Sequence, residues 1–418
     1  MRQHLVDETA IDNIVTQAVS GTKITDIHTH IYSANFGPLL LWGIDELLDY
    51  HYLVAETMRW SDMPYDQFWA MSKHEQADYV WKTLFIEHSP ISESCRGVLT
   101  TLDAFGLDTS TRNLAEYRAF FDQEKVGDHI DRVFELAGVE SVVMTNDPFD
   151  LSEREVWESK GGVQDPRFHA ALRLDGLLNS WEKAMPLLKK WGYNVEGQFT
   201  DQTYSEVRRF LADWINRMNA LYMAVSLPPD FAFPEDSSRG RLLEHCVIPA
   251  AREAGIPFAL MIGVKKLVNL ELRLAGDSVG KSDINVVEYL CAEYPDVRFM
   301  VTMLSRENQH ELCIAARKFR NLMVFGCWWF LNNPSLIEEI SKMRFELLGM
   351  SFIPQHSDAR VLDQLVYKWS HSRKIIADML SDYYKKLAAT GWKITEEEIR
   401  RDVSDLFGGN FWRFVQRR

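Results

Sequence analysis

The 418-residue chain has little cysteine, no long apolar run and no excess of positive charge, and each shortage removes a class of protein. The five cysteines, Cys95, Cys246, Cys291, Cys313 and Cys327, are scattered, odd in number and form no CxxC. They read as reduced core or surface thiols of a cytoplasmic protein, not as a disulfide framework. The longest apolar stretch, Leu322 to Leu331, is about half of the ~20 residues a spanning helix needs. Met1 to Glu8 lack the apolar run of a signal peptide, so a soluble, cytoplasmic protein without a membrane partner is expected. A net charge of −14 and a pI near 5.4 argue against a nucleic-acid or anionic-membrane surface. The same acidity requires that any anionic substrate be received by locally placed arginines. No GxGxxG follows the first strand-like run, and no internal repeat or Pro/Ser linker is present.

What is there is a recurrence of short apolar, β-branched runs separated by helical patterns. The runs are Ile24–His28, Ser141–Met144, Ala170–Leu174, Tyr222–Ser226, Pro257–Ile262, Arg298–Thr302, Leu322–Phe325 and Ser351–Pro354. Eight strands alternating with helices are the pattern of an α/β fold, a distorted (β/α)8 TIM barrel. The spacing is uneven. Residues 35–138 read as several helices, Asp45–Arg59, Tyr65–Glu87, Ser94–Ala104 and Asn113–Leu136, far more than an ordinary crossover holds. An insertion there sits at the C-terminal mouth of the barrel, where it should roof the site. A second helical stretch, 373–418, is expected as an extension packed on the outside of one 1–418 barrel domain.

The first run ends His28-Thr29-His30. Side chains alternate along a strand, so both imidazoles leave the same face and can grip one ion. The last run is followed by Gln355-His356-Ser357-Asp358-Ala359-Arg360. A closed barrel sets its last strand beside its first, which brings Asp358 to His28 and His30. Read alone, Asp358 is equally a helix N-cap. Taken with the histidines it makes a three-ligand site with open positions, as a catalytic metal site requires. Arg173 ends the third strand and could pair with Asp175, yet an inward arginine is costly without an anionic partner. A substrate carboxylate would supply one with bidentate geometry. Asp26 shares the face of the histidines one layer lower and reads as a buttress.

His28-Thr29-His30 on strand one and Asp358 after strand eight resemble the amidohydrolase superfamily. Asp45 to Leu53, which contains His51-Tyr52, together with Arg173, Phe325-Gly326-Cys327-Trp328-Trp329-Phe330 and Ser357-Asp358-Ala359-Arg360, resemble its uronate isomerases, in a divergent bacterial branch. The resemblance runs along essentially the whole chain. It implies Tyr52, His51, Asp358 and Arg360 as catalytic residues, Arg173, Trp328 and Trp329 as substrate contacts, and His28, His30 and Asp358 as ligands. The implied cofactor is one divalent metal ion, Zn2+ first, and the implied partners are a uronic acid and further copies of the chain.

Departures narrow this expectation. No lysine ends strand four, Val225-Ser226-Leu227, and no histidine ends strand five, Met261-Ile262-Gly263, or strand six, Met303-Leu304-Ser305. A binuclear site is therefore not expected. The reaction implied is aldose–ketose isomerisation of an open-chain hexuronate through an enediol, D-glucuronate to D-fructuronate or D-galacturonate to D-tagaturonate. Tyr52 would need a neighbouring cation to act as a base, because a free tyrosine has a pKa of about 10. Hydride transfer is the competing route. A hydrolase or lactonase of the same superfamily acting on a sugar acid is the alternative, and it would usually recruit more histidines.

Overall fold

The computed structural model describes residues 5–159 and 161–417, so the first four residues of the expected leaderless start, and Arg418 of the expected extension, lie outside the described residues. Seven parallel strands are laid down in chain order: β1 Ile24–Thr29, β2 Val139–Asn146, β3 Phe168–Arg173, β4 Met223–Leu227, β5 Phe258–Ile262, β6 Phe299–Met303 and β7 Leu322–Val324. Each pairs with the next, as in Val142 with Phe168, Met223 with Phe258 and Phe299 with Leu322. The strands form because their apolar runs are short, β-branched and buried on both faces, outward against helices and inward against each other. Val143, Ala171, Ala224, Ala259, Met261, Met300, Phe325 and Ile353 fill the interior, so the barrel is a packed core.

The eighth position differs from expectation. Of Ser351–Pro354 only Ile353 bridges, to Phe325, with Ile353 N–H donating to Val324 O at 3.0 Å and Gly326 N–H to Ile353 O at 2.9 Å. Pro354 has no N–H to continue a ladder. The Ser357 N–H turns instead to the Asp26 carboxylate at 3.1 Å. The ring then closes through Asp358 N–H to His28 O at 3.2 Å and His30 N–H to Ala359 O at 2.8 Å. The result is a distorted (β/α)8 barrel.

Between β1 and β2 the chain is helical, but its breaks depart from the sequence expectation. The stretch 45–59 divides into Ile44–Leu48 and His51–Trp60 around an extended Tyr50 (φ −62°, ψ 135°). The stretch 65–87 divides at Ser72, which caps the next helix reciprocally with Glu75. Asp363, fully buried, accepts from Gly43 N–H and His129 Nε2, both at 2.7 Å, and so ties these helices to the barrel. The end of the chain also departs. Helix Asn410–Gln416 places Phe411, Phe414 and Val415 against the barrel interior and closes its lower end, instead of lying outside. After β5 an excursion leaves through a small ribbon, Val264–Lys265 with Ser278–Val279, and crosses the upper mouth. Trp69 holds it there, donating from Nε1 to Glu271 O at 2.7 Å and stacking with Arg273. No helix of the described residues is long and apolar enough to cross a membrane, and all five cysteines are free and buried.

Candidate active site

The end of β1 carries His28 and His30, and the loop that closes the ring carries Asp358. The Asp358 Oδ1 lies 3.6 Å from His28 Nε2 and 3.5 Å from His30 Nε2. Asp358 adopts φ +53°, a left-handed backbone uncommon for a residue with a side chain. That conformation turns the carboxylate up to the imidazoles, and Asp26 holds the turn from below. Asp26 is fully buried, accepts from Ser357 N–H and from Trp369 Nε1 at 2.8 Å, and is pushed up to about 6 by burial.

The tautomers follow from the hydroxyls behind the rings. Tyr222 donates its proton to Ile27 O at 2.7 Å, so at 3.0 Å it accepts from His28 Nδ1–H. Thr145 donates to Thr29 O at 3.0 Å, so at 2.9 Å it accepts from His30 Nδ1–H. Both histidines therefore present a bare Nε2 to the same carboxylate oxygen. Two lone pairs and an anion converge with no proton between them, and Asp358 Oδ1 is a buried atom without a hydrogen bond. Burial keeps the His28 imidazole well below the usual histidine range, so that ring is neutral. The three donor atoms lie within 4.8 Å of one another. Nitrogen from two neutral imidazoles and oxygen from an ionised carboxylate suit a divalent cation such as Zn2+, so the residues present fit the expected ion.

A cavity of about 180 Å³ opens above this set. The sequence-expected His28, His30, His51, Arg173, Trp328, Trp329, Asp358 and Arg360 all line it. Tyr52 is not in the lining. Its ring stacks on Phe330, 6.3 Å between centroids, and lies 5.9 Å from Lys368 Nζ. The extended residue before the helix, Tyr50, lines the cavity instead, with its hydroxyl raised above the usual tyrosine range by burial. His51 is held neutral, its pKa lowered to about 3 by burial, and its Nε2 has no hydrogen bond. Trp329 sits at φ +40° with its ring 5.9 Å from His51.

Arg173 is already paired. Its Nε and Nη2 meet Asp175 at 2.9 and 3.1 Å, and Asp175 also accepts from Ser226 N–H. The cost of burying the arginine is thus met within the protein, and only Nη1, which has no partner among the described residues, is left to contact a ligand. Two other cations share the wall. Arg360 is exposed and without an ion pair among the described residues, and Lys266 meets Asp277 at 2.7 Å.

His356 lies inside the barrel beside His28, 5.3 Å between ring centres, with both nitrogens unpartnered. Room for it comes from Gly326, where a Cβ would stand 1.8 Å from His356 Nδ1 and φ is +63°. Sequence reasoning missed Tyr50, Thr145, Tyr222, Lys266 and Asp277. Tyr50 had a signal, its adjacency to His51. The two hydroxyls had none, being more than a hundred residues from the rings they hold.

The chain is similar in structure to a uronate isomerase from Bacillus halodurans, with 57% identity, 99% of this chain and 98% of that one covered, and a TM-score of 0.97. It is also similar to a uronate isomerase from Thermotoga maritima, at 16% identity, 98% of each chain and a TM-score of 0.78. A glucuronate isomerase from Caulobacter crescentus follows at 14% identity, 98% and 95% coverage and a TM-score of 0.67. The last two show the fold alone. No protein-family model and no curated protein sequence matches the chain.

Proposed function

Because the chain belongs to the uronate isomerase family and is an isomerase, we propose that it interconverts open-chain aldohexuronates and ketohexuronates, D-glucuronate with D-fructuronate or D-galacturonate with D-tagaturonate. One observation carries this reading. In a chain of net charge −14, Arg360, which has no ion pair among the described residues, and Nη1 of Arg173, whose other nitrogens meet Asp175, face the His28, His30 and Asp358 donor set across one cavity. An anionic sugar is the ligand that such a wall receives. A cytoplasmic location suits five reduced thiols.

His28, His30 and Asp358 would hold the divalent ion, which when bound supplies positive charge beside the sugar oxygens. The remaining chemistry belongs to side chains. Isomerisation needs an acceptor for the C2 proton, its delivery to C1 and exchange of a proton between O1 and O2. Neutral His51 is an acceptor, and Tyr50, kept protonated by burial, is a donor. Tyr52 packs 4.6 Å from the His51 ring and 5.0 Å from that of Tyr50, and so sets their positions from behind. Arg173 Nη1 and Arg360 bind the carboxylate, while Trp328 and Trp329 cover the apolar edge of the sugar chain.

The test is to follow ketose formation from both uronates with added Zn2+ or Mn2+, or after chelation. Folded, metal-loaded protein that forms no ketose from either sugar would sink the proposal. Solvent deuterium incorporated at C2 in the reverse direction is the result expected of an enediol, and its absence would favour hydride transfer.

A further inference from the structure

The upper mouth holds a second basin beside the catalytic cavity, with a volume of about 290 Å³. The two share Tyr50, His51, Leu274 and Arg360 as a common rim. Leu274 is 55% exposed and Arg360 is exposed, while Tyr50 is buried and His51 half-buried, so the rim is open on the side of the first two and fixed on the side of the aromatic pair. Beyond the rim Val54 and Trp69 give an apolar wall, and Asp49 and Gln76 bring polar groups to it.

Buried polar atoms without partners gather along this rim. Both carboxyl oxygens of Asp49 and Nε2 of His51 have none. Such atoms are uncommon in a folded interior and call for a ligand or ordered water to satisfy them. Burial, with Glu46 next to it, pushes Asp49 up to about 8, so its carboxyl both donates and accepts at neutral pH. A ligand with one apolar face and a ring of hydroxyls matches a wall of this composition.

We propose that the basin is a second saccharide subsite, which holds the unreacting sugar of a disaccharide whose uronate end is isomerised in the cavity. The reading rests on the isomerase proposal, and it extends the substrate class from free hexuronates to the reducing ends of short oligouronides. The shared rim, open on the side of the exposed Leu274 and Arg360, is where one ligand spans the two basins.

Digalacturonate is the probe, compared with galacturonate on the metal-loaded wild type and on Ala275→Phe and Asp49→Ala. Ala275 lines the second basin and not the cavity, so phenylalanine there fills the one and spares the other. The expected result is turnover of both sugars by the wild type, with KM for the disaccharide raised at least about tenfold in each variant and kcat/KM for galacturonate held within about twofold. Asp49→Ala stands in if Ala275→Phe does not fold. Digalacturonate that neither reacts nor competes with galacturonate would overturn the inference, as would variants that affect both sugars alike. If neither galacturonate nor glucuronate is isomerised the function proposal fails, and calorimetric binding of digalacturonate to wild type and variants still decides the subsite.

Discussion

At the residue scale the donor set depends on two hydroxyls that stand behind the imidazoles. Thr145 and Tyr222 each spend their proton on a backbone carbonyl and so can only accept from the imidazole behind which they stand. Removing either frees the ring to rotate or to take the other tautomer. Thr145→Val and Tyr222→Phe are expected to weaken Zn2+ affinity by about 10–100-fold, and Thr145→Ser to keep it. Competition with a chromogenic chelator on the isolated protein measures this without any turnover assay. Asp358→Asn should abolish turnover and leave the protein folded by circular dichroism. Asp49 gives a pH expectation of definite sign. Its carboxyl rises from 3.8 to about 8 on folding, through burial first and then the charge of Glu46, so its share of stability is full below 3.8 and is lost as pH climbs to about 8. Asp49→Asn should flatten the fall of Tm over that window, and an unchanged slope would remove Asp49 as its cause.

At the element scale the buried Asp363 carboxylate is one of the ties between the insertion and the barrel, beside the Lys368–Glu93 ion pair. Asp363→Ala would leave Gly43 N–H and His129 Nε2 unpaired in a fully buried place, a loss of roughly 2–5 kcal/mol in urea unfolding. The anchor matters for the site because the helix pair it steadies carries Tyr50 and His51. This is also the scale at which the sequence was most and least legible. Strands such as Phe258–Ile262 announce themselves as short buried apolar runs between turns. His28-Thr29-His30 was legible because alternation along a strand is a local rule. The eighth strand was not, since Asp26 takes a backbone donor from a residue far along the chain. Nor was the break at Tyr50, where apolar periodicity continues across an extended residue and tertiary packing decides. The Ser72 and Glu75 capping pair was readable and would have placed one helix start correctly. Lys266 and Asp277 come from an excursion whose path over the mouth depends on Trp69, about two hundred residues away.

At the scale of the whole molecule the barrel is stoppered from below by the last helix. Phe411 is fully buried and meets Tyr222 edge to face, 6.2 Å between centroids. Phe411→Ala should cost about 3–5 kcal/mol and lower Zn2+ affinity together with stability, since it opens space under the tyrosine that orients His28. Stability lost with affinity unchanged would uncouple the two ends.

That stopper has a consequence for how the protein comes into being. The first strand emerges from the ribosome long before the floor beneath its histidine. A nascent chain can therefore hold its His-x-His for the whole of synthesis and still be a poor chelator. If His28, His30 and Asp358 hold a metal as proposed, a chain cut short before Asn410 is expected to bind Zn2+ more weakly than the chain that carries this helix.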